Sequence, residues 1–212
     1  MRLLDRLLGR RKPAPADLAT VREFFTQAAA DEEHYPTTID PRILFVRSVV
    51  DHLGDMNGRI AADIGSGKGR FARIVKERNP SATVIALDLA ETMLLHVPPG
   101  IARIAAGMTQ LPLATESVDG AYAIESLEHA VDIEAAVAEL TRIVKPGGKI
   151  VIIDKNIDKW GTLETPSWER WFDQSEMDGL LKRHCRSVES RPISYWEDVP
   201  PDGMFLAWFA IK

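Results

Sequence analysis

The sequence predicts an α/β fold: a seven-stranded, mostly parallel sheet between two helical layers, with an antiparallel last strand. Three observations carry this. Over residues 59–154 short apolar runs alternate with amphipathic stretches, the pattern of successive βαβ units around a sheet covered on both faces. The segment Gly65-Ser66-Gly67-Lys68-Gly69 closes the first of those runs and opens a helix. Near the C-terminus, strand-like runs at residues 186–195 and 204–211 are separated by a turn-rich stretch too short for a parallel crossover.

Taken in order, the chain of 212 residues reads as one large domain with three parts: a basic amphipathic segment and linker (1–17), helices ahead of the core (18–58), and the core itself (59–212) with an insertion at about 155–173. Leu3, Leu4, Leu7 and Leu8 make an apolar stripe beside Arg2, Arg6, Arg10, Arg11 and Lys12. This opening reads either as a weak membrane-surface or partner-binding helix, or as a terminal helix packed on the body. Pro13 and Pro15 end it. Helices are expected over 18–31 and over 41–53, the latter with Asp40 as a cap and Pro41 in its first turn. Strands follow at 59–64, 83–88, 101–105, 118–123 and 149–154, with helices at 69–78, 91–97 and 132–144. Pro146-Gly147-Gly148 stops the last of these helices, and a further helix is expected over 174–184.

Composition excludes several classes. Cys185 is the one cysteine, so there is no internal disulfide, and a reducing cytosol is the default compartment. No apolar run approaches the roughly 20 residues that span a bilayer. The net charge is −5, and residues 1–12 are themselves basic, so the remainder is more acidic still. An acidic body lacks the basic stripe that nucleic-acid binding requires, and no nucleic-acid partner is expected.

The glycine loop carries the chemistry. A dinucleotide fingerprint needs glycine at its first, third and sixth positions, and the sixth here is Arg70. Asp63, two residues before Gly65, would set a carboxylate against a pyrophosphate and suits a cationic amino group instead. Asp88, at the tip of the second strand, stands where an acid accepts ribose hydroxyls. A ligand with an ammonium at one end and a nucleoside at the other is S-adenosyl-L-methionine.

These residues resemble the class I S-adenosylmethionine-dependent methyltransferases, and within them the small-molecule, ubiquinone/menaquinone-biosynthesis-like (methyltransferase type 11) group. Asp63-x-Gly65-x-Gly67-x-Gly69 is similar to the first motif and Asp88 to the ribose acid. Gln110-Leu111-Pro112-Leu113 with Ser117-Val118-Asp119 is similar to the adenine-carrying loop and fourth strand. Leu127-Glu128-His129 resembles the substrate-facing segment, and Arg142-x-Val144-Lys145-Pro146-Gly147-Gly148 the turn before strand five. The resemblance implies a Rossmann-like methyltransferase fold with strand order 3-2-1-4-5-7-6, and lid helices over 18–58.

It further implies cofactor contacts at Asp63, Gly65, Ser66, Gly67, Gly69, Asp88, Leu89, Met93, Gly107, Met108 and Glu125. Ala106-Gly107-Met108 departs from the pattern, since relatives place an acid there for the adenine amino group. Tyr35 belongs to a lid segment that closes over the methionine end; Phe24 and Phe25 are expected in the lid core, and Lys68 and Arg70 in solvent. His129 is the candidate general base and, with Trp160 and Trp168, the candidate acceptor pocket; no metal is expected. The function implied is methyl transfer to a small acceptor, lipid-like, quinone or sugar-linked. The alternatives are a nicotinamide oxidoreductase or an inactive S-adenosylmethionine-binding protein.

Overall fold

The computed structural model describes residues 14–212, so the leucine-arginine opening lies outside the described residues. Helix α1 (Leu18–Ala28) begins where Asp17 accepts the Thr20 N–H at 2.8 Å. Helix α2 spans Leu44–Leu53, three residues later than the sequence suggests. The Asp40 carboxylate is engaged by the backbone and guanidinium of Arg42, which turns residues 41–43 into a tight bend instead of a helical start.

The alternating region follows as β1 (Ile60–Ile64), α3 (Arg70–Arg78), β2 (Thr83–Asp88), α4 (Glu91–Leu94), β3 (Ala102–Ala105), β4 (Val118–Ile124), α5 (Ile133–Ile143) and β5 (Val144–Lys155). The chain ends with α6 (Gln174–Lys182), β6 (Ser187–Ile193) and β7 (Phe205–Ile211). The expected helix over 91–97 is only α4, because the chain turns at Leu95 to bring Val97 beneath Gly69.

The seven strands run in the order β3-β2-β1-β4-β5-β7-β6. β1 to β5 are parallel; β7 lies antiparallel to both β5 and β6. Side-chain alternation splits the core into two layers. Ala61, Tyr122, Val151 and Phe209 face α2 and α3 through Phe45, Val49, Phe71 and Val75. Their neighbours Ala62, Ala121, Ile152 and Trp208 face α5 and α6 through Leu140, Met177 and Leu181. The parallel strands all end on one edge, which sets Asp63, Asp88, Glu125 and Asp154 along a single line of strand tips.

Pro146-Gly147-Gly148 sits inside a bulge of β5, where the pairing jumps from Val118↔Val144 to Gly120↔Lys149. A Cβ on Gly148 would lie 2.8 Å from the Lys145 carbonyl oxygen and 2.9 Å from that of Asp119, whereas one on Gly147 (φ 78°) would meet nothing within 4 Å. Gly148→Ala should therefore lower stability by about 2 kcal/mol, a fall of roughly 4–8 °C in the midpoint, by overpacking. Gly147→Ala should lose only about 1 kcal/mol, from its left-handed backbone. Thermal unfolding of the two variants checks the ranking.

Candidate active site

At the strand tips lies a cleft of about 410 Å³. The loop after β1 forms its floor. The N–H groups of Gly65 and Ser66 both donate to the Leu87 carbonyl (2.8 and 2.9 Å), and the Gly67 N–H donates to Asp88 Oδ2 at 2.8 Å. All three glycines have positive φ, at 70°, 53° and 77° for Gly65, Gly67 and Gly69. A Cβ on Gly65 would stand 2.5 Å from Ser126 Cβ, which is fixed by its hydroxyl donating to the Ile64 carbonyl.

The structure brings together on the cleft wall Tyr35, Asp63, Gly65, Ser66, Gly67, Asp88, Leu89, Met93, Gly107, Met108, Glu125 and His129. Gly69 is not on the wall. It caps α3, and its missing Cβ makes room for Val97, so its part is to turn the backbone. Trp160 and Trp168 do not line the cleft either, and the acceptor-pocket expectation is corrected for both. Trp160 stacks edge-on against the buried Trp171 at 5.4 Å, and Trp168 against Phe24 of α1 at 5.3 Å, because large aromatics gain more by covering one another than by lining an open wall. Phe25 is the reverse case: expected in the lid core, it lines the cleft and meets the His129 ring edge-on at 4.8 Å.

Lys68 and Arg70 are not free in solvent. The buried Lys68 ammonium donates to Glu32 Oε2 at 2.8 Å and to the Asp31 carbonyl, tying the segment after α1 to the glycine loop. Glu32 is pulled down to about 2 by that bond and by Thr37. Arg70 donates to Glu125 at 3.1 Å. Glu125 itself holds a left-handed backbone (φ 50°), strained for a side chain with a Cβ, and its N–H donates to the Ile153 carbonyl.

Burial raises the proton affinity of the two sequence-picked acids. Asp63 is pushed up to about 8, chiefly by desolvation, with the Tyr122 phenol beside it opposing the shift. No N–H reaches its Oδ2. Asp88 is raised in the same direction by burial, against the N–H groups of Ala90 and Gly67. These groups fit the S-adenosylmethionine that the resemblance implies. Asp63 is a desolvated acid that a cation would ionise, each oxygen of Asp88 keeps a second lone pair for a diol, and the absent Cβ of Gly67 leaves its backbone open to a ligand.

On the wall opposite, sequence reasoning pointed to Glu128, in the substrate-facing Leu127-Glu128-His129, but missed Lys155 and Glu169. Glu128, Lys155 and Glu169 all border the cleft and are buried. The Lys155 ammonium lies 2.5 Å from Glu128 Oε1 and 3.2 Å from Glu169 Oε1, and the Trp171 indole N–H donates to Glu169 at 2.7 Å. Ligand atoms of Glu128, His129 and Glu169 come within 4.8 Å of one another, but the ammonium already bridges the two carboxylates where a metal ion would sit. His129 Nε2 is 3.5 Å from Glu128 Oε1, and no donor or acceptor meets its Nδ1. Burial and the Lys155 charge press this imidazole down to about 3, so it is neutral at physiological pH. The one signal in the sequence was Asp154-Lys155, charges placed directly after an apolar strand run.

A strand-tip cleft with a glycine loop between two acids is the arrangement that the resemblance to class I S-adenosylmethionine-dependent methyltransferases implies. Residues 62–152 match a family model described as a methyltransferase domain. The chain is 33% identical over 107 residues to the malonyl-[acyl-carrier protein] O-methyltransferase of Methylococcus capsulatus, covering 48% of this chain and 38% of the relative. It is 31% identical over 122 residues to the demethylmenaquinone methyltransferase of Renibacterium salmoninarum, covering 56% and 51%. The chain thus spans about half or less of these curated relatives. In fold it is similar to the Burkholderia thailandensis 1,6-didemethyltoxoflavin-N1-methyltransferase, solved with its substrate and S-adenosylhomocysteine, at a TM-score of 0.69 and 19% identity over 94% of this chain and 93% of that one.

Asp63 supplies a pH prediction. Its folded value lies above the ordinary 3.8, so the native state binds the extra proton and stability falls as pH rises from about 4 towards about 8. Asp63→Asn should raise the apo midpoint by a few degrees at pH 8 and by much less at pH 5, while abolishing stabilisation by an ammonium-bearing ligand. Calorimetry at the two pH values checks both halves.

Proposed function

We propose that the protein transfers a methyl group from S-adenosylmethionine to a small-molecule acceptor. The observation that carries this is the pairing of Asp63 and Asp88 on adjacent strand tips, with a cleft-lining glycine loop between them. The bound cofactor supplies a methyl group already activated by a positively charged sulfur. Asp63 holds the ammonium and Asp88 the ribose hydroxyls. Leu89, Met93 and Met108, with the bare backbone of Gly107, enclose the base. Tyr35 is set over the methionine end by the segment that Lys68 and Glu32 anchor. Glu125 pairs with Arg70 on the cleft wall, and α1 excludes water. With an activated donor, alignment and dryness supply much of the acceleration. His129, which lines the cleft, would face the acceptor.

The acceptor class we infer is lipid-like, quinone or sugar-linked; Leu18, Val131 and Leu163, exposed apolar residues of the cleft border, favour a molecule with an apolar body. We place the protein in the cytoplasm, with weak membrane-surface contact through residues 1–12. Among the described residues no helix is long and apolar enough to cross a membrane. A nicotinamide oxidoreductase is disfavoured by the buried Asp63, which would face a pyrophosphate, and by Arg70 at the third glycine position.

Thermal unfolding with S-adenosylmethionine, S-adenosylhomocysteine and NADH in parallel tests the reading. Either sulfur compound at a hundred times its dissociation constant should add about 2.7 kcal/mol, a midpoint rise of roughly 5–10 °C. Asp88→Ala should remove that rise. A response to NADH alone would overturn the assignment.

A further inference from the structure

The wall across from the glycine loop buries more negative than positive charge. Glu128, Glu169 and Asp154 are 2%, 2% and 0% exposed, and the one ammonium among them, Lys155, is shared between the two glutamates. No N–H reaches Glu128 Oε2 or Asp154 Oδ1, yet the two carboxyls lie within hydrogen-bonding reach of each other, so one proton between them satisfies both. Asp154 is the one to hold it: burial and the adjacent Glu128 raise it well above the ordinary range, and its Oδ2 already accepts the Leu127 N–H. That leaves two carboxylates against one ammonium on the border of a cleft. A desolvated surplus of this sign is met by a proton or by a ligand that brings one.

Resting on the reading above, we propose that Glu128 is the proton acceptor of the reaction, serving a hydroxyl or amine nucleophile, and that the same surplus charge excludes carboxylate acceptors. In the step the acceptor's O–H or N–H bond breaks, the proton passes to the Glu128 carboxylate, which becomes a carboxyl, and the electron pair stays on the nucleophile. Lys155 is the positioning residue: it holds Oε1 and is too fully shared to attract an anionic acceptor. His129, kept neutral, presents Nδ1 as a hydrogen-bond acceptor and is a poor base, since an imidazolium there would be buried beside Lys155. Desolvation carries Glu128 up to about 7 against the pull of Lys155, which leaves a useful fraction ionised at neutral pH. The charged and titratable groups facing it are Asp154 and Lys155 from β5, Glu169 from the loop beyond, His129 on its own turn, and Tyr35 from the lid.

The test uses the full chain, labelled with 13C at glutamate carboxyls and saturated with S-adenosylhomocysteine. One glutamate resonance should titrate near pH 7 and vanish in both Glu128→Gln and Glu128→Asp. 4-Propylphenol and 4-propylaniline should perturb that resonance and bind at least tenfold tighter than 4-propylbenzoate, the gap closing in Glu128→Gln. The absence of a glutamate titrating above pH 6, benzoate binding as tightly as its partners, or no probe perturbing the resonance each overturns the proposal. Glu128→Gln must keep the S-adenosylhomocysteine-induced thermal shift, which separates this failure from that of the cofactor reading: without a shift in the unmodified protein, the latter falls first.

Discussion

The Leu87 carbonyl accepts two consecutive N–H groups, from Gly65 and Ser66, and the neighbouring Asp88 carboxylate accepts a third from Gly67. These bonds sew the loop after β1 to the tip of β2, and the rest of the site follows from them. The loop must turn so tightly that its glycines take positive φ, which brings Gly69 to the start of α3 and aims Lys68 inward at the lid. Asp88 therefore holds the loop while lining the cleft. Replacing it disturbs the floor of the cleft as well as a contact, while Asp63 is less entangled with the backbone.

A second constraint is electrostatic. Asp63, Asp88, Glu128 and Asp154 all stand at or beside strand tips, and burial raises the proton affinity of every one. The basic residues that could neutralise the cleft are drawn off: Lys68 to Glu32, Arg70 to Glu125, Lys155 to the two glutamates. The cavity is thus a desolvated, acid-lined chamber, suited by its charge to cationic or proton-bearing groups.

The lid closes this chamber by aromatic contact. Phe24 stacks on Trp168, Phe25 on both Tyr35 and His129, and the Ala14 N–H donates to the Ser167 carbonyl at 2.8 Å. The insertion after β5 therefore clasps the lid rather than forming the acceptor wall with its tryptophans. Its polar Glu169 reaches the cleft, and Trp171 holds that glutamate by an indole N–H.

Local pattern was enough for the layers, the seven strands and the β1 loop, because apolar periodicity, glycine spacing and proline-glycine stops are properties of short segments. Asp63, the glycines and Asp88 were legible for the same reason: each lies at a fixed offset from a strand end. The late start of α2, the shortness of α4 and the bulge in β5 were decided by contacts local pattern does not contain, an Arg42–Asp40 bond, Val97 under Gly69 and a register shift against β4. The surroundings of His129, the tryptophans and the Glu128–Lys155–Glu169 knot were likewise set only in three dimensions. Whether an ionisable group is a base, a prop or a bystander depends on its desolvation and on charges brought in from distant segments, and whether an aromatic lines a cavity depends on which other ring it finds first. The sequence by itself determined the sheet, the loop and the acids at the tips of β1 and β2; the tertiary structure alone decided the wall opposite, because its charge balance is assembled from the ends of two strands, a loop beyond them and the segment ahead of the core.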